Sequence, residues 1–234
     1  MAYTKAELLD KVDEWLTPEK VSMLYATDFI NYSGITADTK EKYTEVISER
    51  LLDNLDALER IERITRKSSY KTAGHEWKPI NSASPRSEEQ IARNMMGQIY
   101  NYIGKIIDYQ TPLKNVQADN AGKIDLLSWN EEKKCAYILE FKVQDSRETL
   151  LRCLLEIDTY SRIVDFKKLI ADFELPTTTV LRKAALVYRL SLPHIHFRGP
   201  NMKRLMKALG VDLFLLNKDN KFVEEHFCFE ELEG

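Results

Sequence analysis

The chain reads as an α/β protein: a three-layer α/β/α domain with a mixed central sheet, preceded by an all-helical N-terminal region. Three features of the sequence lead there. Apolar residues recur at helical spacing through residues 1–70. The stretch 67–87 is rich in turn formers and breaks all periodicity. Beyond it, helical patterns alternate with short apolar strands, which implies a sheet covered on both faces. We place the boundary so that 1–72 forms the helical N-terminal region and 73–234 the α/β domain.

In order, Lys5 to Leu16 carries Leu8, Leu9, Val12 and Leu16 on one helical face. Thr17-Pro18 predicts a restart, with Thr17 as N-cap and Pro18 in the first turn, and Gly34 ends that second helix. A long third helix is predicted from Asp38 or Thr39 to Arg66, its stripe formed by Ile47, Leu51, Leu55, Leu58 and Ile61. That stripe must be covered by the other helices, by the second domain, or by a second subunit, which would make a homodimer through the N-terminal helices. Ser68-Ser69, Gly74, Pro79, Asn81-Ser82 and Ser84-Pro85 mark the linker.

After the linker, Ser87-Glu88-Glu89-Gln90 predicts a capping box. The helix it opens has Ile91, Met95, Ile99 and Tyr102 inward and ends near Gly104. Strands are predicted at Ile106–Leu113, Lys123–Trp129 and Cys135–Val143, the last two joined by the turn Asn130-Glu131-Glu132-Lys133. Asp145 and Glu148 predict the start of a helix running to about Lys168. Ala184–Leu190 and Val211–Leu216 read as strands, with a short helix Asn201–Leu209 stopped by Gly210.

Composition narrows the function. In 234 residues, 44% are apolar and 30% charged, enough to bury a core and cover a surface. Eight glycines and seven prolines exclude a collagen-like chain. No apolar run approaches the roughly 18 residues of a membrane span, so no membrane partner is expected. The opening residues turn acidic at once and lack a signal-peptide stretch. Cys135, Cys153 and Cys228 have no zinc-ligand spacing and read as reduced thiols of a cytoplasmic protein. The net charge of −3 means that a nucleic-acid binder would need a local basic surface.

The candidate chemistry lies in Glu140-Phe141-Lys142. The pattern acid-x-Lys also starts at Asp38, Glu76, Glu131, Glu132, Asp165 and Asp219, but only Glu140 and Lys142 interrupt an apolar strand. Residues two apart on a strand share a face, and charges there are costly unless paired or metal-bound. Asp125 interrupts the preceding strand, and Gly122 lets the chain turn in tightly before it. A hairpin could set Asp125 beside Glu140, where a cation between them would relieve their repulsion. Oxygen-only ligands favour Mg²⁺ (or Mn²⁺), and Lys142 could then orient or deprotonate a water. Glu88 shares the inward face of its helix and is the third candidate acid. The polar stripe Glu148, Arg152, Glu156 and Tyr160 follows at intervals of four; Arg152, Glu156 and Tyr160 are the candidate substrate-binding residues.

These residues and their order resemble the PD-(D/E)xK nuclease superfamily, with its restriction-endonuclease-like fold. The resemblance covers residues 87–190: helix with an acid, strand, strand with Asp125, strand with Glu140-x-Lys142, helix, strand. It implies a Mg²⁺-dependent phosphodiesterase acting on nucleic acid, DNA before RNA. Asp125 and Glu140 would be metal ligands, Lys142 would position the attacking water, and Glu88 would be an auxiliary ligand. Ile124 stands where the family's name has Pro, and Glu156 stands where some members have Gln four residues before Tyr160.

Other readings remain open at this level. The fold could serve as a catalytically inactive module binding nucleic acid or protein, or the long helix could pair with a partner. Arg60, Arg63, Arg66 and Lys67 read as a solvated helix face, as do Arg198, Lys203, Arg204 and Lys207 around a helix start at Gly199-Pro200-Asn201 that could otherwise hold a phosphate. His194-x-His196 would share a strand face but has no third ligand nearby and reads as structural. His75-Glu76-Trp77 has no interpretable partner. The acidic end, Glu224-Glu225 and Glu230-Glu231-Leu232-Glu233, should face away from nucleic acid.

Overall fold

The computed structural model describes residues 2–80, 86–115 and 122–229. The turn formers Asn81-Ser82 and Ser84-Pro85 and the acidic end 230–233 lie outside the described residues.

Helix α1 (Lys5–Trp15) opens with a capping box, in which Glu7 N donates to Thr4 Oγ1 and Thr4 N donates to the Glu7 carboxylate. The N-terminal region is not all-helical. Thr17-Pro18 starts only turns and a 3-10 helix, Val21–Ala26. Residues 35–42 form a turn closed by an Ile35–Lys42 bridge, with Lys40 at φ 60°. The long helix resolves into α2 (Tyr43–Leu52) and α3 (Leu55–Glu59). Asn54 breaks it: its backbone leaves helical space at φ −136°, ψ 37°, and its side-chain amide donates to Arg50 O at 2.8 Å. Ile47, Leu51, Leu58 and Ile61 are buried all the same, with α1 packed on α2. Arg60, Arg63, Arg66 and Lys67 therefore lie beyond the last helical turn, and Arg66 donates to Ser69 O and Lys114 O.

Helix α4 (Ser87–Met95) begins at the expected cap residue itself, so that Arg86 takes the cap position and makes no side-chain cap bond. It stops at Gly97, whose φ of 79° only glycine adopts freely. Ile99 is thus 76% exposed in the short strand β1 (Ile99–Tyr100) rather than on a buried helix face. Strands β2 (Gly104–Pro112), β3 (Lys123–Asn130) and β4 (Cys135–Phe141) follow as an antiparallel meander. Helices α5 (Leu150–Ile163) and α6 (Phe166–Asp172) cross over to β5 (Val180–Tyr188), parallel to β4. Helices α7 (Leu192–His196) and α8 (Pro200–Leu209) lead to β6 (Val211–Leu216), parallel to β5, and β7 (Val223–Phe227) returns antiparallel.

All seven strands lie in sequence order in one mixed sheet. The sheet curls until its ends meet. Asn101 Nδ2 donates to Val223 O at 2.7 Å, Val223 N donates to Asn101 Oδ1 at 2.8 Å, and the Tyr102 ring packs at a tilt against His226. The architecture is a nearly closed, barrel-like sheet with helices. This overturns the three-layer α/β/α sandwich, because the inner face is filled by the sheet's own side chains and not by a helical layer. Tyr100, Ile106, Tyr137, Leu139, Phe141 and Phe214 pack there, with α4 contributing Ala92 and Met95. Strand twist accumulating across seven neighbours produces the curl. The outer face carries Ile138, Ala185 and Leu213 in one cluster with Leu154 of α5 and with Leu8, Ile47 and Leu51, so the N-terminal segment shares its core with the sheet. None of the described helices is long and apolar enough to cross a membrane.

Two further expectations change. His194 and His196 sit on helix α7, where a two-residue spacing separates them by about 200° instead of placing them on one face. His194 Nδ1 accepts from Leu190 N; His196 is buried, and that burial pushes its pKa down to about 4. The N-terminus of α8 is already occupied. Glu45 of α2 reaches it, its carboxylate accepting from Asn201 N at 2.9 Å and Met202 N at 3.1 Å. A Cβ at Gly199 would lie 2.0 Å from Glu45 Oε1, so the glycine exists to admit this cap rather than a phosphate.

Candidate functional site: an acidic cleft at the β3–β4 edge

The β3–β4 register places Leu126 opposite Leu139, so Asp125 stands opposite Glu140. There the backbone ladder gives way to a side chain: Phe141 N donates to Asp125 Oδ2 at 3.0 Å, and Gln110 Nε2 of β2 donates to Oδ1 at 2.8 Å. Gln110 sits at φ 49°, an uncommon conformation for a residue with a Cβ. Two residues on from Glu140, Lys142 reaches the same side. Its Nζ lies 2.6 Å from Glu140 Oε1 and 2.8 Å from Glu148 Oε2.

Glu148 gets there because α5 starts later than the sequence suggests. Thr149, not Asp145, is the cap: its Oγ1 accepts from Arg152 N at 3.1 Å and donates to Ile30 O at 2.8 Å, and Thr149 N donates to Asn31 Oδ1 at 2.9 Å. The N-terminal segment thus fixes the first turn of α5 and leaves Glu148 outside the helix, facing Lys142. From α5, Arg152 Nε lies 3.3 Å from Glu148 Oε1 and 3.9 Å from Glu156 Oε2. Tyr160 donates its hydroxyl to Glu156 Oε1 at 2.8 Å and meets Tyr25 edge-on. Gly122 matters for clearance: a Cβ there would lie 1.9 Å from the Tyr160 hydroxyl. Glu88, on α4, accepts from Val143 N at 3.4 Å.

The structure therefore gathers Glu88, Asp125, Glu140, Lys142, Arg152 and Glu156 on one cleft of about 600 Å³. Tyr160 stands behind Glu156. Gln110, Tyr25 and the buttressing pair Ile30 and Asn31 carry no local signal. Glu148 is visible in sequence as a helix-start residue and as the first member of the polar stripe, not as a metal ligand.

The electrostatics of the cleft are unbalanced. Seven carboxyl groups line it against three cations. Burial pushes the Asp125 carboxyl up to about 6, against the lowering effect of Lys142. Burial, then the charges of Asp125 and Glu156, drives Glu140 well above the usual carboxylate range. Burial also raises Glu88. For Lys142 burial opposes the charge, but Glu140 and the neighbouring acids outweigh it and hold the ammonium protonated.

Glu140 Oε2 is buried without a hydrogen-bond partner, and Glu156 Oε2 makes no hydrogen bond either. One oxygen from each of Glu140, Glu148 and Glu156 lies within 4.8 Å of the others, a spacing one cation can bridge. The oxygen-only donor set suits Mg²⁺ or Mn²⁺. Asp125, with both oxygens already bonded, borders this group. No family model matches the chain, and no match is found among curated proteins or solved structures, so the PD-(D/E)xK resemblance rests on the motif residues alone.

Proposed function

We propose that the cleft is the active site of a metal-dependent nuclease of the cytoplasm, hydrolysing phosphodiester bonds in nucleic acid, DNA before RNA. One observation supports this above the rest: Glu140 Oε2, buried and without a hydrogen bond, stands among three converging carboxylates beside a protonated lysine. Most buried polar atoms find a partner, and an unpartnered carboxylate oxygen facing two further carboxylates is what a bound cation would satisfy. Glu140, Glu148 and Glu156 would hold Mg²⁺ or Mn²⁺, with Asp125 and Glu88 flanking. A bound divalent ion would supply Lewis acidity toward a phosphate oxygen.

The chain's own groups do the rest. Lys142, held charged, acts as a hydrogen donor and point charge toward a water or phosphate oxygen, not as a base. Hydrolysis places the water's oxygen on phosphorus and breaks one P–O bond. The water's proton needs a nearby acceptor, and the leaving oxygen takes a proton in return. Glu88, on the cleft wall with its carboxyl raised by burial, is placed to take up that proton and return it to the leaving oxygen. Asp125 fixes Gln110 and the Phe141 amide and so positions Glu140.

The test is hydrolysis of single- and double-stranded DNA and RNA with Mg²⁺ or Mn²⁺, using Glu140→Ala and Lys142→Ala as controls. Activity should vanish with chelator and in both variants; activity surviving both substitutions overturns the proposal. One observation favours a second reading, an inactive binding module: Lys142 is already clamped between Glu140 and Glu148. In that case no Mg²⁺ binding would depend on Glu140.

A further inference from the structure

Beside the acidic cleft lies a second cavity of about 530 Å³ that shares Ser87, Val143 and Asp145 with its rim. Its chemistry is the opposite. Ile91 of α4, Val143 and Leu190 give it an apolar wall, and Tyr188 closes the back, its hydroxyl donated to Asn220. Arg189 and Lys218 stand exposed at its edge, with no ion pair between either of them and the described residues. Leu190 is 64% exposed and held at φ 65°, its N–H donated to His194 Nδ1 at 2.8 Å. An exposed leucine fixed in left-handed backbone has no packing reason to be there.

Resting on the nuclease reading, we propose that this cavity is a nucleobase subsite. It would take one unpaired nucleotide of the strand whose adjoining phosphodiester lies among Glu140, Glu148 and Lys142. A base offers two flat apolar faces, which suit the Ile91–Leu190 wall, and the volume falls within the range of small-ligand sites. The flanking phosphates match Arg189 and Lys218, whereas the acidic cleft alone repels a polyanion. A base can enter only outside a stack, so the substrate class is single-stranded nucleic acid or an unpaired strand end, not an intact duplex.

The test is binding, so that it stands apart from catalysis. Anisotropy is read for a short labelled single-stranded oligonucleotide and for an abasic one of equal length and charge, both with Ca²⁺ so that the acids are offset. The normal strand should bind about tenfold more tightly, roughly what burying one base face against an apolar wall is worth. Leu190→Ala should remove that difference. Lys218→Gln should weaken both strands alike. Equal binding of the two strands, absence of binding included, overturns the subsite, as does a difference that survives Leu190→Ala. Metal-dependent hydrolysis that is intact despite equal binding leaves the nuclease reading standing without the subsite. A base-dependent difference in a protein that cleaves nothing leaves the subsite standing without the nuclease.

Discussion

Buried carboxylates occur in two kinds of place in this molecule, and they are treated differently. Asp158 of α5 is 1% exposed and is met by Arg162 at 2.8 Å and by Lys183 of β5. Asp212 of β6, equally buried, pairs with Arg182 at 3.0 Å and accepts from Phe229 N at 2.8 Å. Each has a cation and further donors, as a buried charge that only holds the fold should. In the cleft the ratio reverses: acids outnumber cations, and Glu140 keeps an oxygen with no hydrogen bond. The fold tolerates at the β3–β4 edge what it avoids on β5 and β6, and unmet charge in an open cleft is what ligand binding would relieve.

The sharpest way to break this contrast is through activity. Glu140→Ala should lower metal-dependent hydrolysis on the order of a thousandfold, about 4 kcal/mol in the barrier, with little loss of stability, because Glu148 still pairs with Lys142 and a carboxyl whose charge burial disfavours is removed. Asp158→Ala should do the reverse. It strands Arg162 and Lys183, which are only 24% and 18% exposed, and should cost about 3 kcal/mol in urea unfolding with the cleft's metal affinity intact. If both variants lose stability equally, the cleft is simply another ion-pair cluster.

Much of the cleft was legible because its signals are local. Strand alternation puts Glu140 and Lys142 on one side, and the Asn130–Lys133 turn returns Asp125 to meet them. The α8–Gly210–β6 passage was equally readable, since Gly210 takes φ 61° as a helix-ending glycine does. What failed depended on distant partners. Asp145 and Thr149 are both plausible caps, and the choice falls to Thr149 through Ile30 and Asn31, more than a hundred residues away. Sheet closure rests on Asn101 meeting Val223, which no local pattern announces. The helix at 192–196 had a cue that competed with its strand-like spacing: Ser191 in the cap position, with Pro193 in the first turn.

The next effect is pH-dependent. Asp125 titrates in the fold at about 6 instead of 3.8. A folded pKa raised above the unfolded one contributes stability below about pH 4 that is lost as pH rises through about 6. Asp125→Asn should therefore add up to about 3 kcal/mol above pH 6 and nothing near pH 4, by urea unfolding at each. The gain is trimmed because one amide oxygen must replace two carboxylate oxygens serving Gln110 and Phe141 N.

The smallest effect separates the cleft from the other place where the sequence suggested phosphate. Glu45 caps α8 as an internal anion, so the positive end of that helix already has its counter-charge. Glu45→Ala removes two charge-assisted bonds from an end that Gly199 keeps open, and should cost about 1–2 kcal/mol in thermal or urea unfolding. Sulfate or phosphate should restore part of that loss in the variant and do nothing for the parent protein, whose site is filled. Hydrolysis should be unchanged in both, because α8 lies outside the cleft lining. A variant that loses nuclease activity while staying folded would mean that α8, and not the β3–β4 edge alone, meets the substrate, and the contrast between a satisfied fold and an unsatisfied cleft would have to be redrawn around both.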